Sequence, residues 1–350
     1  NLLGLKQLCE LINEVEQHFD CHELAELSFE FNPYPEEEIF ALVRGLQAKY
    51  GKTYPRIRFS FGIQSFDNEV LQLAGRKSSF LGLVDFLRNL QALKQDSTVF
   101  NFDFIAFGKW NQSKKGNPYL WTPSALSFFT DFVESHFADS FSLYTLELFE
   151  NQVWKKKNAE ALISGEYFGT DDQIYEEFSL LKSILLDAGY RRYELSNFAL
   201  AGKSSIHNRT YWEMESYLGL GLNSSSFLDA KLLSPEVLRA LQTEKAQAGL
   251  RFKNTLSMDD YLAGNWLNPT ENQNLSEKDW LIEAFFLGLR TDRGISQLSR
   301  FEPVLVANYQ EKLKSYAEQG FLVWEEENVV LTDEGMDVFN TLVTELLEEI

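Results

Sequence analysis

The sequence contains little sulfur, with two cysteines and three methionines among its 350 residues. The cysteines, Cys9 and Cys21, match neither the spacing of a metal site nor that of a disulfide framework. So few thiols are typical of a protein from a reducing compartment, and we therefore expect a cytoplasmic location.

Long apolar runs and clustered basic residues are also missing. No stretch approaches the roughly 18 uninterrupted apolar residues of a membrane-spanning helix, and the first residues do not have the basic-then-apolar pattern expected of a signal peptide. Lys and Arg number 32 against 52 Asp and Glu, which gives a net charge of −20. Because phosphate binding requires clustered Lys and Arg, this balance argues against a nucleic-acid partner. The remaining composition, 44% hydrophobic and 24% charged, is that of a globular protein.

The start of the sequence predicts an N-terminal truncation. Position 1 is Asn, and the methionines stand at 214, 258 and 336. Apolar residues follow helical spacing from Leu5 to Val15, so a helix begins almost without a preceding segment. We expect that the chain was cut inside a fold.

A strand–helix alternation runs through the N-terminal half. The strands are predicted at 24–31, 56–64, 98–105 and 140–148, and helices at 35–50, 68–74, 79–95 and 123–137 separate them. Four strands joined through helices predict an α/β fold with a parallel sheet or barrel.

Apolar and polar residues alternate in three of these strands, which read L-S-F-E-F-N from Leu27, I-R-F-S-F-G-I-Q from Ile57 and F-N-F-D-F from Phe100. The bulky face must pack against the helices, which leaves a polar face pointing inward. Buried Glu, Gln and Asp are costly unless a polar group fills the space. We therefore expect an open, partial barrel that holds a polar ligand near the strand ends. The alternative is an antiparallel sheet with its polar face in water.

The C-terminal part is predicted to be mainly helical after Leu228. Helices are predicted at 233–247, 277–289 and 303–318, and two short strands at 321–324 and 329–331 follow. Helices followed by a two-stranded wing resemble a winged helix, which would suggest DNA binding. Residues 303–350, however, contain eleven acidic residues, two lysines and no arginine. This region is therefore expected to be a lid or a partner surface.

Several motifs support a family resemblance. They are F-G-I-Q-S-F from Phe61 with Arg76 beyond it, E-F-N-P from Glu30, Y-E-L-S-N-F-A from Tyr193, H-N-R-T-Y-W from His207, Y-L-G-L-G from Tyr217 and G-L-R from Gly288. In order and spacing, they resemble the HemW-type heme chaperones. These are radical S-adenosylmethionine (SAM) proteins related to oxygen-independent coproporphyrinogen III oxidase. The resemblance covers essentially the whole chain.

The resemblance implies three segments. Residues 1–228 would form a partial radical-SAM β/α barrel, which lacks its first strands, together with the H-N-x-x-Y-W region. Residues 229–275 would be a helical connector, and residues 276–350 a HemN-type, winged-helix-like C-terminal domain.

The resemblance also implies a SAM site. The family's SAM-lining positions correspond to Glu30, Gln64, Arg76 and Asp103. Carboxylates, an amide and a guanidinium complement the ammonium, ribose and carboxylate of this ligand. The alternative is that Glu30 and Arg76 simply pair with each other.

A heme site is implied by the H-N-x-x-Y-W segment. His207 would be the ligand of the heme iron, with Tyr211 and Trp212 nearby to cover the macrocycle. The alternative is that His207 is a hydrogen-bonding loop residue. The oxidase branch is expected to have Asp at the position of Ser65 and to lack the 194–199 run, which favours the chaperone branch.

The chain departs from the family at several positions. The C-x3-C-x2-C motif that binds the [4Fe–4S] cluster and the glycine-rich strand end that follows it are absent. The family's Y-G-L-P reads F-G-K-W from Phe107, and Glu147 replaces a small residue. As given, the chain is expected to form no cluster and to carry out no radical chemistry.

We therefore expect a heme-binding chaperone that acts with heme, SAM and an unidentified heme-acceptor protein. One alternative is a porphyrin-biosynthesis enzyme of the coproporphyrinogen oxidase type. The other is a degenerate, non-catalytic family member that only binds a partner.

Overall fold

The computed structural model describes residues 3–108, 121–147, 169–296 and 298–348. The chain divides into two compact units. Unit 1 comprises residues 1–192 and 196–205, and unit 2 comprises residues 193–195 and 206–350. Each unit has its own apolar core.

Strands and helices alternate in the N-terminal part, up to residue 199. The elements are α1 (Leu5–His18), β1 (Leu27–Phe31), α2 (Glu36–Tyr50), β2 (Ile57–Gln64), α3 (Asn68–Leu73), α4 (Phe80–Gln91), β3 (Thr98–Ala106), α5 (Pro123–Glu134), β4 (Ser140–Thr145), α6 (Asp171–Asp187), β5 (Arg191–Glu194) and β6 (Asn197–Ala199). Helix starts follow local chemistry: Ser79 caps α4, and Thr170 with Gln173 forms a capping box on α6.

The sheet has the strand order β1-β2-β3-β4-β6-β5. Strands β1 to β4 run parallel, and β6 runs antiparallel to β4. The predicted α/β fold with a parallel sheet is confirmed, and the antiparallel alternative is wrong for these four strands. In the described part of the chain the sheet stays open.

The bulky face of the sheet packs against the helices, as the alternation predicts. Phe61 contacts Phe86 of α4 edge to face, with ring centroids 5.5 Å apart, and Phe102 meets Phe132 of α5 at 5.1 Å. Burying each such ring contributes roughly 1.5–3 kcal/mol. This packing fixes the register, so the polar residues of the same strands all lie on the opposite face.

Unit 2 combines short helices with two small sheets. The elements after β6 are α7 (Ile206–Trp212), β7 (Ser225–Asp229), α8 (Pro235–Ala240), β8 (Gly249–Lys253), α9 (Met258–Leu262), β9 (Gln273–Leu275), α10 (Glu277–Gly288), α11 (Pro303–Ala307), α12 (Gln310–Glu318), β10 (Leu322–Glu325), β11 (Asn328–Leu331), α13 (Asp333–Asp337) and α14 (Phe339–Leu347).

The predicted helical connector at 229–275 is wrong. Strands β7, β8 and β9 form a three-stranded antiparallel sheet there, and α8 covers only part of the predicted 233–247 helix. In β8, the buried side chains of Leu250 and Phe252 alternate with the half-buried side chains of Arg251 and Lys253, so the strand periodicity prevails.

The C-terminal hairpin agrees with the sequence. Strands β10 and β11 pair antiparallel, and Thr332 caps the helix that follows them. That last helical region is divided into α13 and α14 around Val338. No helix in the described ranges has both the length and the hydropathy needed to cross a membrane.

Candidate functional site

A bulge at the end of β2 positions Gln64. The register against β3 shifts between Gly62 and Gln64, and Gln64 has a φ of 74°, in the left-handed region. A Cβ atom added to Gly62 would lie 2.7 Å from Nε2 of Gln64, and within 4 Å of polar atoms of Asn32 and Arg76. The glycine therefore leaves room for three polar side chains to converge at this strand end.

Arg76, which follows α3 in sequence, extends its side chain to the end of β2. Its Nη1 donates to Oδ1 of Asn32 over 2.6 Å, and the side chain is half-buried. Burial lowers the pKa of Arg76, and the charge of Asp103 opposes that shift. The alternative of a Glu30–Arg76 ion pair is not found among the described residues, since Asn32 is the residue that Arg76 contacts.

Asp103 lies on the polar face of β3. Its carboxylate accepts hydrogen bonds from Ser60 Oγ at 3.0 and 3.1 Å and from Asn101 Nδ2 at 2.7 Å. Burial raises the pKa of Asp103, whereas hydrogen bonds from Ser142 and Ser60 and the charge of Arg58 lower it. The carboxylate is therefore held in a defined orientation by neutral donors.

Asn101 organises that network, although no recognised motif includes it. Its Nδ2 donates to Ser60, Asp103 and Ser142 over 2.7 to 3.0 Å, and its Oδ1 accepts from Ser140 at 2.7 Å. Asn101 is completely buried, so the amide links β2, β3 and β4 where bulk water does not compete. The alternation of polar and apolar residues in β3 is the sequence signal for this role.

Glu30 lies on the same polar face but is more exposed. On β1 it stands opposite Ser60 of β2. Its charge contributes to the raised pKa of Asp103, which agrees with this position. The structure thus brings Glu30, Gln64, Arg76 and Asp103 to one face of the sheet.

This face has the donors and acceptors that SAM requires. Two carboxylates can accept from its ribose and ammonium, and the amide and guanidinium can meet its other polar groups. Arg58 is also buried here, and its Nε has no hydrogen-bond acceptor among the described residues. The face therefore retains an unused donor for a polar ligand.

The residues of this chain do not fit a [4Fe–4S] cluster. The sequence has two cysteines, with Cys9 on α1 and Cys21 beyond its end, and both are free thiols. The part of the chain described here has no group of three or more His, Cys, Asp or Glu residues that could hold a metal ion. No radical step can be derived from the residues of this chain.

A buried carboxylate fixes the segment after β3. Oε2 of Glu177 on α6 accepts from the backbone N–H groups of Phe107 and Gly108 at 3.1 and 2.7 Å. Its Oε1 accepts from Nε1 of Trp121 at 2.8 Å. Burial raises the pKa of Glu177 from its ordinary value of 4.5 to about 7, against these three donors. No sequence motif indicated this residue.

In unit 2, His207 is exposed and belongs to a row of aromatic rings. The rings of His207 and Tyr211 pack edge to face with their centroids 4.8 Å apart, and the rings of Tyr211 and Tyr217 do the same at 4.6 Å. His207 and Tyr211 are four residues apart on α7, which places them on one side of the helix.

Trp212 lies in a different environment. The guanidinium of Arg290 covers its ring at 4.0 Å, and the same guanidinium donates to Oε1 of Glu194 over 2.9 and 3.1 Å. The structure therefore brings His207 and Tyr211 together, while Trp212 stacks with Arg290.

Two positions where the chain departs from the family are only partly described. Phe107 and Gly108 are held by Glu177, whereas 109–110 lie outside the described residues. Glu147 is exposed at the end of the segment after β4.

Comparisons with known proteins agree with this structure. The HemN C-terminal domain matches residues 275–338. The heme chaperone HemW of Lactococcus lactis is 25% identical over 99% of this chain and 82% of its own length. HemW of Bacillus subtilis is 24% identical over 98% and 82%. The mitochondrial radical S-adenosyl methionine domain-containing protein 1 of Bos taurus is 27% identical over 84% of this chain, which spans 62% of that protein.

A solved structure shares the fold. It is the coproporphyrinogen III oxidase HemN from Escherichia coli, which is described as a radical SAM enzyme. The TM-score is 0.69 at 16% identity, over 99% of this chain and 75% of that one. The C-terminal domain, the near full-length similarity to HemW heme chaperones and the shared fold together support a HemW-type radical S-adenosylmethionine protein.

Proposed function

We propose that this protein is a heme chaperone that binds heme in unit 2 through His207. The observation that carries this proposal is the exposed imidazole of His207 in ring contact with Tyr211. Imidazole is a common axial ligand of heme iron. The relatives from Lactococcus lactis and Bacillus subtilis, which match almost the whole chain, are named heme chaperones.

The aromatic row supports this position for a porphyrin. Tyr211 and Tyr217 extend the row away from His207, and both are half-buried. A planar macrocycle coordinated at His207 could cover these rings and remove apolar surface from water. Trp212 stays a predicted heme contact, and its ring already stacks on Arg290.

SAM binding is proposed for the polar face of unit 1, with Glu30, Gln64, Arg76 and Asp103 as contacts. The support is the convergence of Gln64 and Arg76 above Gly62 and the fixed carboxylate of Asp103. The family implies a [4Fe–4S] cluster as well, but the residues of this chain do not supply its ligands. A cytoplasmic location and a heme-acceptor protein as partner belong to the same proposal.

Hemin titration of the purified chain tests the heme assignment. We expect a Soret band shifted from that of free hemin, and His207→Ala should weaken hemin binding at least about tenfold, or about 1.4 kcal/mol. His22→Ala is the matched control, because His22 is also exposed but lies far from the motif in sequence. Equal spectra and affinities for wild type and His207→Ala would show that His207 is not the ligand.

A further inference from the structure

The segment after Tyr217 exposes three leucines. Leu218, Leu220 and Leu222 have 48%, 65% and 36% of their surface accessible. Gly219, between the first two, faces the protein, since a Cβ there would lie 2.8 Å from that of Ser224. Alternation about Gly219 therefore points Leu218 and Leu220 outward, and Leu222 is exposed in the turn that follows Gly221.

A second set of exposed apolar side chains belongs to α9 and the residues before it. Leu256, Met258 and Leu262 are 71%, 55% and 76% exposed. Met258 and Leu262 are four residues apart on α9 and so share one side of it.

The two sets are joined by hydrogen bonds. The N–H of Gly221 donates to Oη of Tyr261 over 3.1 Å, and the N–H of Asn223 donates to the carbonyl of Thr255 over 3.0 Å. The leucine surface is defined here as Leu218, Leu220, Leu222, Leu256, Met258 and Leu262. Large contiguous exposed apolar patches mark interaction sites on proteins.

The two segments that carry the leucine surface are acidic in sequence, although Arg209, Lys231, Lys253 and Lys278 directly flank them and Glu213 is paired with Arg209 and Arg293. Residues 210–230 and 254–277 contain seven acidic residues and no Lys or Arg. Glu215, Asp259 and Asp260 are exposed beside the leucines. Like charge opposes docking of a second copy, whose net charge is also −20, and opposes an anionic membrane. A segment with apolar residues flanked by Lys or Arg is complementary.

The leucine surface is adjacent in sequence to the aromatic row, although alternation places the side chains of Tyr217 and Leu218 on opposite sides of the segment. Tyr217, whose ring contacts Tyr211, immediately precedes Leu218. Tyr211 in turn contacts His207. A protein docked on Leu218 would thus contact the residue that directly follows the ring system where heme is proposed to bind.

We propose that the leucine surface docks an apolar segment of a partner protein that is flanked by Lys or Arg. Resting on the proposed function, this partner is the acceptor of the heme. Apolar contacts to the leucines provide affinity, and the surrounding carboxylates select the basic flanks.

A labelled synthetic helix of about five turns, with leucines on one side and lysines on the other, is the probe. Fluorescence anisotropy should show binding that weakens with added salt. Leu220→Ser with Leu262→Ser should weaken binding at least about tenfold, because two leucines lose their buried contacts. Leu81→Ser is the control, since Leu81 is 70% exposed on α4 of unit 1.

Equal binding by the double variant, or by a probe with Glu in place of Lys, would overturn the proposal. So would self-association of the chain, or binding to phosphatidylglycerol vesicles, that the double variant abolishes. Hemin titration of the double variant separates the two proposals, because its affinity should equal that of wild type. If His207→Ala leaves hemin binding unchanged while the probe still binds, the heme assignment fails and the docking surface stands.

Discussion

Glu177 should make the stability of the chain depend on pH in a direction unusual for a carboxylate. Its folded-state pKa is raised from 4.5 to about 7, mainly by burial. Between these values the folded state binds more protons than the unfolded state, so the free energy of unfolding falls as pH rises. A shift of about 2.5 units corresponds to about 3 kcal/mol of stability lost between pH 4.5 and 7.

Glu177→Gln removes this titration while keeping the shape of the side chain. Urea unfolding at pH 5, 6, 7 and 8 gives the stability difference between wild type and variant at each pH. Between pH 5 and pH 8 we expect the stability of the wild type relative to the variant to fall by about 2.5 kcal/mol. Glu176→Gln is the matched control, because Glu176 is the exposed neighbour on the same helix.

The amide that Glu177→Gln introduces also tests the hydrogen bonds. One end of this amide can accept, but the other end donates and must face either Trp121 Nε1 or the backbone N–H groups of Phe107 and Gly108. An unpaired buried donor costs about 1–3 kcal/mol, so the variant should be less stable than wild type near pH 8. A stability difference that is constant with pH, or that favours the wild type more as pH rises, would refute the assigned cause of the pKa shift.

Two further predictions concern the polar face of unit 1. Arg76→Ala should weaken the binding of S-adenosylhomocysteine, measured by calorimetry, at least about tenfold. Arg88→Ala is the control, because Arg88 lies on the exposed side of α4 and its loss should leave the affinity unchanged. An equal loss of affinity in both variants would contradict a role of Arg76 in binding. Asn101→Ala should lower the free energy of unfolding by about 2–4 kcal/mol in urea titrations, because the buried partners Ser60 and Ser142 lose hydrogen bonds. An unchanged midpoint and slope would show that the network adds nothing to stability.

The polar face could be predicted because strand periodicity is a local property. The alternation around Gln64 and Asp103 follows from packing the Phe residues onto helices, and the same packing sets the register in the structure. The bulge that turns Gln64 into a positive φ was not predictable, since it depends on how β2 pairs with β3.

Glu177 could not be found from sequence for a different reason. It lies on a helix with several other acidic residues, among them Asp171, Asp172 and Glu176, which are exposed. Only the tertiary fold shows that this one carboxylate faces the turn after β3. Strands β8 and β9 were not predicted, because a strand of three to five residues shows too few alternations to outweigh the helical pattern of the neighbouring sequence.

Arg290 also explains why several of the recognised motifs occur together. It belongs to the G-L-R motif, pairs with Glu194 of Y-E-L-S-N-F-A and stacks on Trp212 of H-N-R-T-Y-W. Three stretches that are far apart in sequence thus form one joint. Trp212 is the last residue of α7, and His207 lies near the first. The contacts of Arg290 therefore hold in place the helix that carries the imidazole. In the proposed heme complex, the orientation of His207 would therefore depend on Arg290 and Glu194, which are not among the predicted heme contacts.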